Sequence, residues 1–208
     1  SSCDEALAVR FKLSTILDIE TLGGKLRAPG AEASICLKNE TFLKHISEAI
    51  RFLKIAVEMD STYLPARVNL SSAFIMAGEY SRAIGILEEV LKIQSGNPGA
   101  LSNKAVALYL FGKANNIDTA DNSIGTLKEV WGKNPSFSDA IYNMASIQLE
   151  RGRNAAATET FKKFLKIEST GIYAQAAKAR LGIKSDERPV TEKASEMKSP
   201  IKLGEIKG

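Results

Sequence analysis

The feature that most restricts how this chain can fold is an internal repeat. Four short dipeptides recur at steps of 34, 40 and 34 residues: Ala49-Ile50, Ala83-Ile84, Ser123-Ile124 and Ala157-Thr158. Three kinds of residue follow the last three units at steps of 34 and 40: Asn69, Asn103 and Asn143; Ala66, Ala100 and Ala140; Gly78, Gly112 and Gly152. A period of this length is typical of repeat architectures, in which each unit covers the apolar face of its neighbour.

The residue types within each unit predict two antiparallel helices joined by a turn. Gly78, Gly112 and Gly152 fall where a first helix should end, and glycine accepts the left-handed conformation that closes helices. Ala83 and Ala157 stand where two helices must approach closely. A stripe at helical spacing predicts the buried face of a second helix: Ile84, Leu87, Val90 and Leu91. Breaks between units are predicted at Ser61, Ser95, Pro135 and Ser169.

Two segments carry a resemblance to a known family. "NLSSAFIMAGEYSRAIGILEEVLKI" (Asn69 to Ile93) and "NMASIQLERGRNAAATETFKKFLKIE" (Asn143 to Glu168) resemble the tetratricopeptide repeat, or TPR, a 34-residue helix–turn–helix. The resemblance covers about residues 40–182 and implies an all-α fold, a right-handed superhelix of antiparallel helix pairs. Three departures stand out: Lys104 where the family has Leu, Ser123 in place of the small Ala, and six extra residues around Lys113 to Asn122. We expect that insertion to lengthen a loop.

The array is expected to have three parts. Residues 1–38 are predicted to hold a capping helix over 5–20, with Val9, Leu13, Ile16 and Leu17 at helical spacing, followed by an irregular loop. Residues 39–183 form the array: a partial first repeat with a helix over about Phe42 to Met59, three full repeats, and a closing helix over Tyr173 to Gly182. Residues 184–208 read as a charged linker or tail. Its end, Ser199 to Gly208, is expected to be a strand beginning a further domain or an extended peptide lying along the groove.

Composition argues against several function classes. The net charge of +4 is not gathered in a basic arm, which argues against nucleic-acid binding. No run of about 18 apolar residues predicts a membrane span. Cys3 and Cys36 lack metal-ligand spacing, so we expect no metal and no cofactor, and whether they pair is open. His45, the only histidine, lies in no catalytic motif, and we predict that the chain is not an enzyme. The expected compartment is the cytoplasm or, favoured by the Cys after two serines, the bacterial periplasm.

The resemblance also implies a binding site. In TPR proteins an Asn of the first helix often points into the concave groove and holds the backbone of an extended ligand, and an amide suits this because it both donates and accepts. The predicted groove residues are these three asparagines with their neighbours on the same face: Asn69, Asn103, Asn143, Ser72, Val106, Ser146, Tyr109 and Tyr142. The alternative is that Asn is only a helix-tolerated surface residue at this phase.

The neighbouring side chains indicate which segment would fit. They are mostly apolar or hydroxylic, and Pro65 and Val68 stand where basic residues would clamp an acidic tail. The sequence therefore predicts a protein-interaction module, a scaffold or adaptor that binds an extended apolar segment of a partner not identified by the sequence. The alternatives are an accessory region of a larger enzyme, or a structural, periplasmic or lipoprotein-like assembly factor, with self-association through the tail as a possible mode.

Overall fold

A computed structural model describes residues 11–13 and 40–183 of the 208. Eight helices and no strand occur in these ranges: α1 Glu40–Met59, α2 Leu64–Met76, α3 Tyr80–Ile93, α4 Pro98–Ala114, α5 Ala120–Lys133, α6 Ser138–Glu150, α7 Asn154–Ile167 and α8 Gly171–Arg180. Each packs against the next in the chain across a short connection, which makes neighbours antiparallel. The described part of the chain is therefore all-α, as the sequence predicts.

The helices form three consecutive pairs, α2/α3, α4/α5 and α6/α7, with α1 before them and α8 after them. The first helices of the pairs also pack on one another, α2 on α4 and α4 on α6, so they form one layer. Positions 83, 123 and 157 of the second helices are all buried, at Ala83, Ser123 and Ala157. The small residues of the repeat thus lie where the second helices meet the rest of the array.

Two of the three predicted glycine helix ends have the expected geometry. Gly78 and Gly152 follow α2 and α6 with φ of +79° and +72°. Around Gly78 the closing hydrogen bonds run from the Gly78 N–H to the Ile75 carbonyl and from the Glu79 N–H to the Phe74 carbonyl, at 3.1 and 2.9 Å. This is the Schellman arrangement, which satisfies carbonyls at a helix end.

Gly112 does not end its helix, and this part of the sequence prediction is wrong. It lies inside α4, which continues to Ala114, and Asn116 takes the left-handed conformation instead, with φ of +58°. Asparagine tolerates that conformation better than most residues. Gly112 is needed for a different reason: a Cβ there would lie 2.6 Å from the Ile117 carbonyl oxygen and 2.9 Å from Thr119 Cγ2.

The six-residue insertion is mainly helix rather than loop, which corrects the second expectation. The first helices α2 and α6 have 13 residues and α4 has 17, while the connection after α4 has five residues where the other two pairs have three. Four inserted residues therefore add one turn of helix and two lengthen the loop. A helical turn satisfies its own backbone hydrogen bonds, which a longer loop would not.

The connections between pairs contain the predicted breaks. Turns follow α1, α3 and α5 at residues 61–62, 95–96 and 135–136. Before α4, the Asn97 side chain accepts a hydrogen bond from the Ala100 N–H at 2.9 Å, and Pro98 opens the helix. None of the helices in the described ranges is long and apolar enough to cross a membrane.

Residues 11–13 are not helical, although the sequence predicts a helix over 5–20. Hydrogen bonds from a side chain of α6 hold this segment instead, as detailed below. Several other predictions fall outside the described residues: the rest of the capping helix, the cysteines Cys3 and Cys36, and the tail over 184–208.

Candidate functional site: the groove that holds residues 11–13

Asn143 of α6 binds the backbone of Lys12 with both ends of its amide. The Lys12 N–H donates to Asn143 Oδ1 at 2.6 Å, and Asn143 Nδ2 donates to the Lys12 carbonyl oxygen at 2.7 Å. Because the N–H and C=O of one residue point the same way only in extended backbone, this pair of bonds imitates one residue pair of an antiparallel sheet. The contact depends on the backbone and not on the identity of the side chain.

The amide of Asn143 is oriented by the preceding repeat. Its Nδ2 also donates to Ser102 Oγ of α4, at 3.2 Å. The same contact recurs one repeat earlier, where Asn103 Nδ2 donates to Ser72 Oγ of α2 at 2.9 Å. All four side chains are buried. Since these bonds join first helices of adjacent pairs, they fix the Asn side chains before any ligand is considered.

The residues on either side of Lys12 are apolar and buried. Phe11 is 0% exposed and Leu13 is 4% exposed, and both join the continuous core of the array. The Phe11 ring meets the Tyr109 ring of α4 edge to face, with centroids 6.0 Å apart, a favourable aromatic arrangement. The segment is therefore held by two apolar side chains and by its backbone between them.

The Lys12 side chain ends among polar groups of the third repeat. Its Nζ donates to Ser138 Oγ at 2.7 Å, forms a salt bridge with Glu168, and lies 3.4 Å from Asp139 Oδ1. Ser138 Oγ in turn donates to Glu168 Oε2 at 2.8 Å. The Lys12 and Asp139 side chains are only 16% and 14% exposed. A cation is thus bound by two carboxylates and a hydroxyl that solvent reaches poorly.

Aromatic rings complete the surroundings of the ammonium. Lys12 Nζ lies 5.3 Å from the Tyr173 ring centroid and 5.8 Å from that of Phe164, within the range of cation–π attraction. Burial raises the pKa of the Tyr173 phenol far above its usual value, and nearby Tyr142, Asp139 and Glu168 raise it further. We call these five residues the Lys12 pocket: Ser138, Asp139, Phe164, Glu168 and Tyr173.

The predicted groove residues take several positions around this segment. Asn143 and Tyr109 contact it directly, and Val106 belongs to the same apolar core. Ser72 and Asn103 bond to each other, as described above. Asn69 is 7% exposed, and Ser146 Oγ is buried without a hydrogen-bond partner in the described part of the chain.

Tyr142 lies in an aromatic cluster between α6, α7 and α8 rather than beside the segment's backbone. Its ring centroid is 5.0 to 5.6 Å from those of Phe161, Phe164 and Tyr173. Its hydroxyl accepts a hydrogen bond from Arg180 at 2.6 Å. Tyr142 therefore supports the wall of the Lys12 pocket from behind.

The sequence analysis missed the charged half of the site. Asp139 lies one turn before Asn143 on α6, so the i, i+4 spacing could have placed both on one face. Glu168 and Tyr173 lie on either side of the α7–α8 connection, and no spacing rule brings them to α6. Among the described residues, no three or more His, Cys, Asp or Glu side chains are placed to hold a metal ion.

The helix pairs, their spacing and the Asn-bearing first helices define the class: the chain has the tetratricopeptide-repeat fold. No family model matches it, and no curated protein does so either. It is similar to solved structures at low identity. A crystal structure of MamA is 17% identical with a TM-score of 0.48, over 66% of this chain and 85% of that one.

Two further structures are similar to a comparable extent. A MamA double mutant is 19% identical with a TM-score of 0.46, over 65% of this chain and 75% of the other. YrrB, described as a TPR protein with an unusual peptide-binding site, is 16% identical with a TM-score of 0.39, over 66% and 85%. At these identities the likeness concerns the fold alone.

Proposed function

We propose that this chain is a protein-interaction module that binds an extended segment of a partner protein in the groove on its first helices, as a scaffold or adaptor. The observation that supports it is the Asn143 amide bound to both backbone groups of Lys12. A partner strand could be held in the same way, because the contact uses only atoms that every residue except proline carries.

The energetics favour binding over a purely structural role for the amide. Asn143 is 0% exposed, and burying an amide costs free energy unless its donors and acceptor are all used. Two of those groups are used only when an extended backbone lies on α6. A partner segment in this position would therefore gain two hydrogen bonds and spare the amide its desolvation cost.

The experiment uses a labelled peptide with the sequence of Ala8 to Leu17 as the probe and the full chain as the receptor. Because residues 11–13 occupy the groove, the receptor carries Phe11→Ser and Leu13→Ser, which remove the apolar anchors of the chain's own segment. We expect Asn143→Ala to weaken peptide binding by about 1–3 kcal/mol, roughly 5- to 100-fold, for two lost hydrogen bonds. Fluorescence anisotropy measures the affinity.

Two further variants make the result specific. Asn143→Asp keeps the acceptor for the ligand N–H but removes the donor, and we expect an intermediate loss. Asn122→Ala replaces an exposed Asn on α5 and should bind as the parent does. Equal binding by the Asn143→Ala and Asn122→Ala receptors, with unchanged circular dichroism, would contradict the proposal.

A further inference from the structure

The Lys12 pocket is built to hold a cation. Asp139 and Glu168 both reach the same ammonium, and their side chains are 14% and 27% exposed. Without a positive charge between them, two partly buried carboxylates would face each other, which is unfavourable in a site of low dielectric. An apolar or acidic side chain in this position would leave that repulsion uncompensated.

The occupant of the pocket is also more polar than a covering segment requires. Burying an ion pair costs desolvation free energy, and well-packed apolar side chains of similar size often stabilise a protein at least as well. A segment that only shielded the groove would therefore gain nothing from a lysine at position 12. Charged groups of this kind instead discriminate between ligands, because the wrong ligand leaves them unpaired.

The neighbouring positions extend the specificity. Phe11 packs against Tyr109, and Leu13 is buried in the same core, while the lysine between them points to the third repeat. Successive side chains of an extended segment point to opposite sides, so one residue can enter the acidic pocket while its two neighbours enter apolar surroundings.

From this geometry we infer the chemistry of the ligand: the groove selects partner segments in which one lysine stands between two apolar residues, and residues 11–13 of this chain occupy that site until a partner displaces them. The inference rests on the proposed function and adds the side-chain chemistry that it lacks. An intramolecular segment competes at high effective concentration, so the partner's apparent affinity is lower than its intrinsic affinity.

The test compares two peptides on one receptor. The first is the Ala8 to Leu17 peptide and the second is the same peptide with Lys12→Met, which keeps a long side chain and removes the charge. On the full chain carrying Phe11→Ser and Leu13→Ser, we expect the lysine peptide to bind about 10- to 100-fold more tightly, the range for charge-assisted hydrogen bonds. Titration into the unmodified chain should weaken both peptides and preserve their ratio.

The receptor side is tested with matched charges. Asp139→Asn combined with Glu168→Gln should reduce the preference for lysine to less than about threefold, because the ammonium then loses both carboxylates. Glu159→Gln removes an exposed carboxylate of α7 that pairs with Lys162 on the surface, and it should leave the preference intact. Circular dichroism confirms that each receptor is folded.

The outcomes separate the two proposals. If both peptides bind equally well, the selection for lysine is wrong and the backbone groove stands. If neither binds, the proposed function fails and the inference with it. If the unmodified chain forms a dimer that Lys12→Met dissociates in size-exclusion chromatography, the occupant is a second copy of this chain, and the assignment to a partner protein is overturned.

Discussion

Ser123 provides the sharpest test of the repeat assignment, because it places a hydroxyl where the other repeats have a methyl group. It is 2% exposed, and its Oγ has no hydrogen-bond partner within the described residues. The equivalent positions hold Ala83 and Ala157, which are also buried. We therefore expect Ser123→Ala to stabilise the protein.

The magnitude follows from two contributions. A buried hydroxyl without a partner costs about 1–3 kcal/mol, which the substitution recovers in part as the site repacks. Alanine is also a better helix former than serine by up to about 0.5 kcal/mol. A net gain of about 1–2 kcal/mol is expected, equivalent to an increase in Tm of roughly 2–8 °C for a chain of this size.

Urea unfolding followed by circular dichroism at 222 nm measures the effect, with the m-value checked because repeat arrays can unfold in stages. Ser47→Ala, at an exposed position within α1, isolates the helix-propensity contribution. Ala83→Ser should be destabilising, since it adds the same hydroxyl to an earlier repeat. The reasoning would be refuted if Ser123→Ala were no more stable than Ser47→Ala.

Two further predictions concern the middle repeat. Gly112→Ala should destabilise the protein by about 1–3 kcal/mol, because its Cβ would overlap the α4–α5 connection, whereas Gly85→Ala, in open space on α3, should stabilise it by about 0.5–1 kcal/mol; thermal melts of both decide. Deletion of residues 113–118 restores the 34-residue step and should keep a cooperative fold with stability within about 1–2 kcal/mol of the parent, since it removes only surface ion pairs. Loss of the helical signal in that deletion would show that the extra turn is essential.

The repeat could be predicted from the sequence because many residues keep the same phase. Gly78 and Gly152, the buried Ala83, and the stripe of Leu87 and Val90 all occupy the expected places. Each of these residues acts within its own helix or on the adjacent one. Local spacing is therefore sufficient to locate them.

The errors arise where the outcome depends on distant contacts. Leu13 fits both a helical stripe with Val9 and an alternation with Phe11, so the sequence alone allows a helix or an extended segment. The structure is decided by Asn143, which lies 131 residues from Lys12. In the same way, Gly112 looked like a helix end, and only the path of the chain to Thr119 shows why a side chain does not fit there.

The extra turn of α4 makes the three helix pairs non-interchangeable. At 1.5 Å per residue, four more residues extend α4 by about 6 Å beyond the length of α2 or α6. The following repeat is fitted to this extension, since Glu150 binds Lys113 and Arg151 binds Asp118. Lengthening this array by duplicating a single unit would therefore be easiest with the first pair, whereas copying the middle pair would require a successor that carries the matching charges.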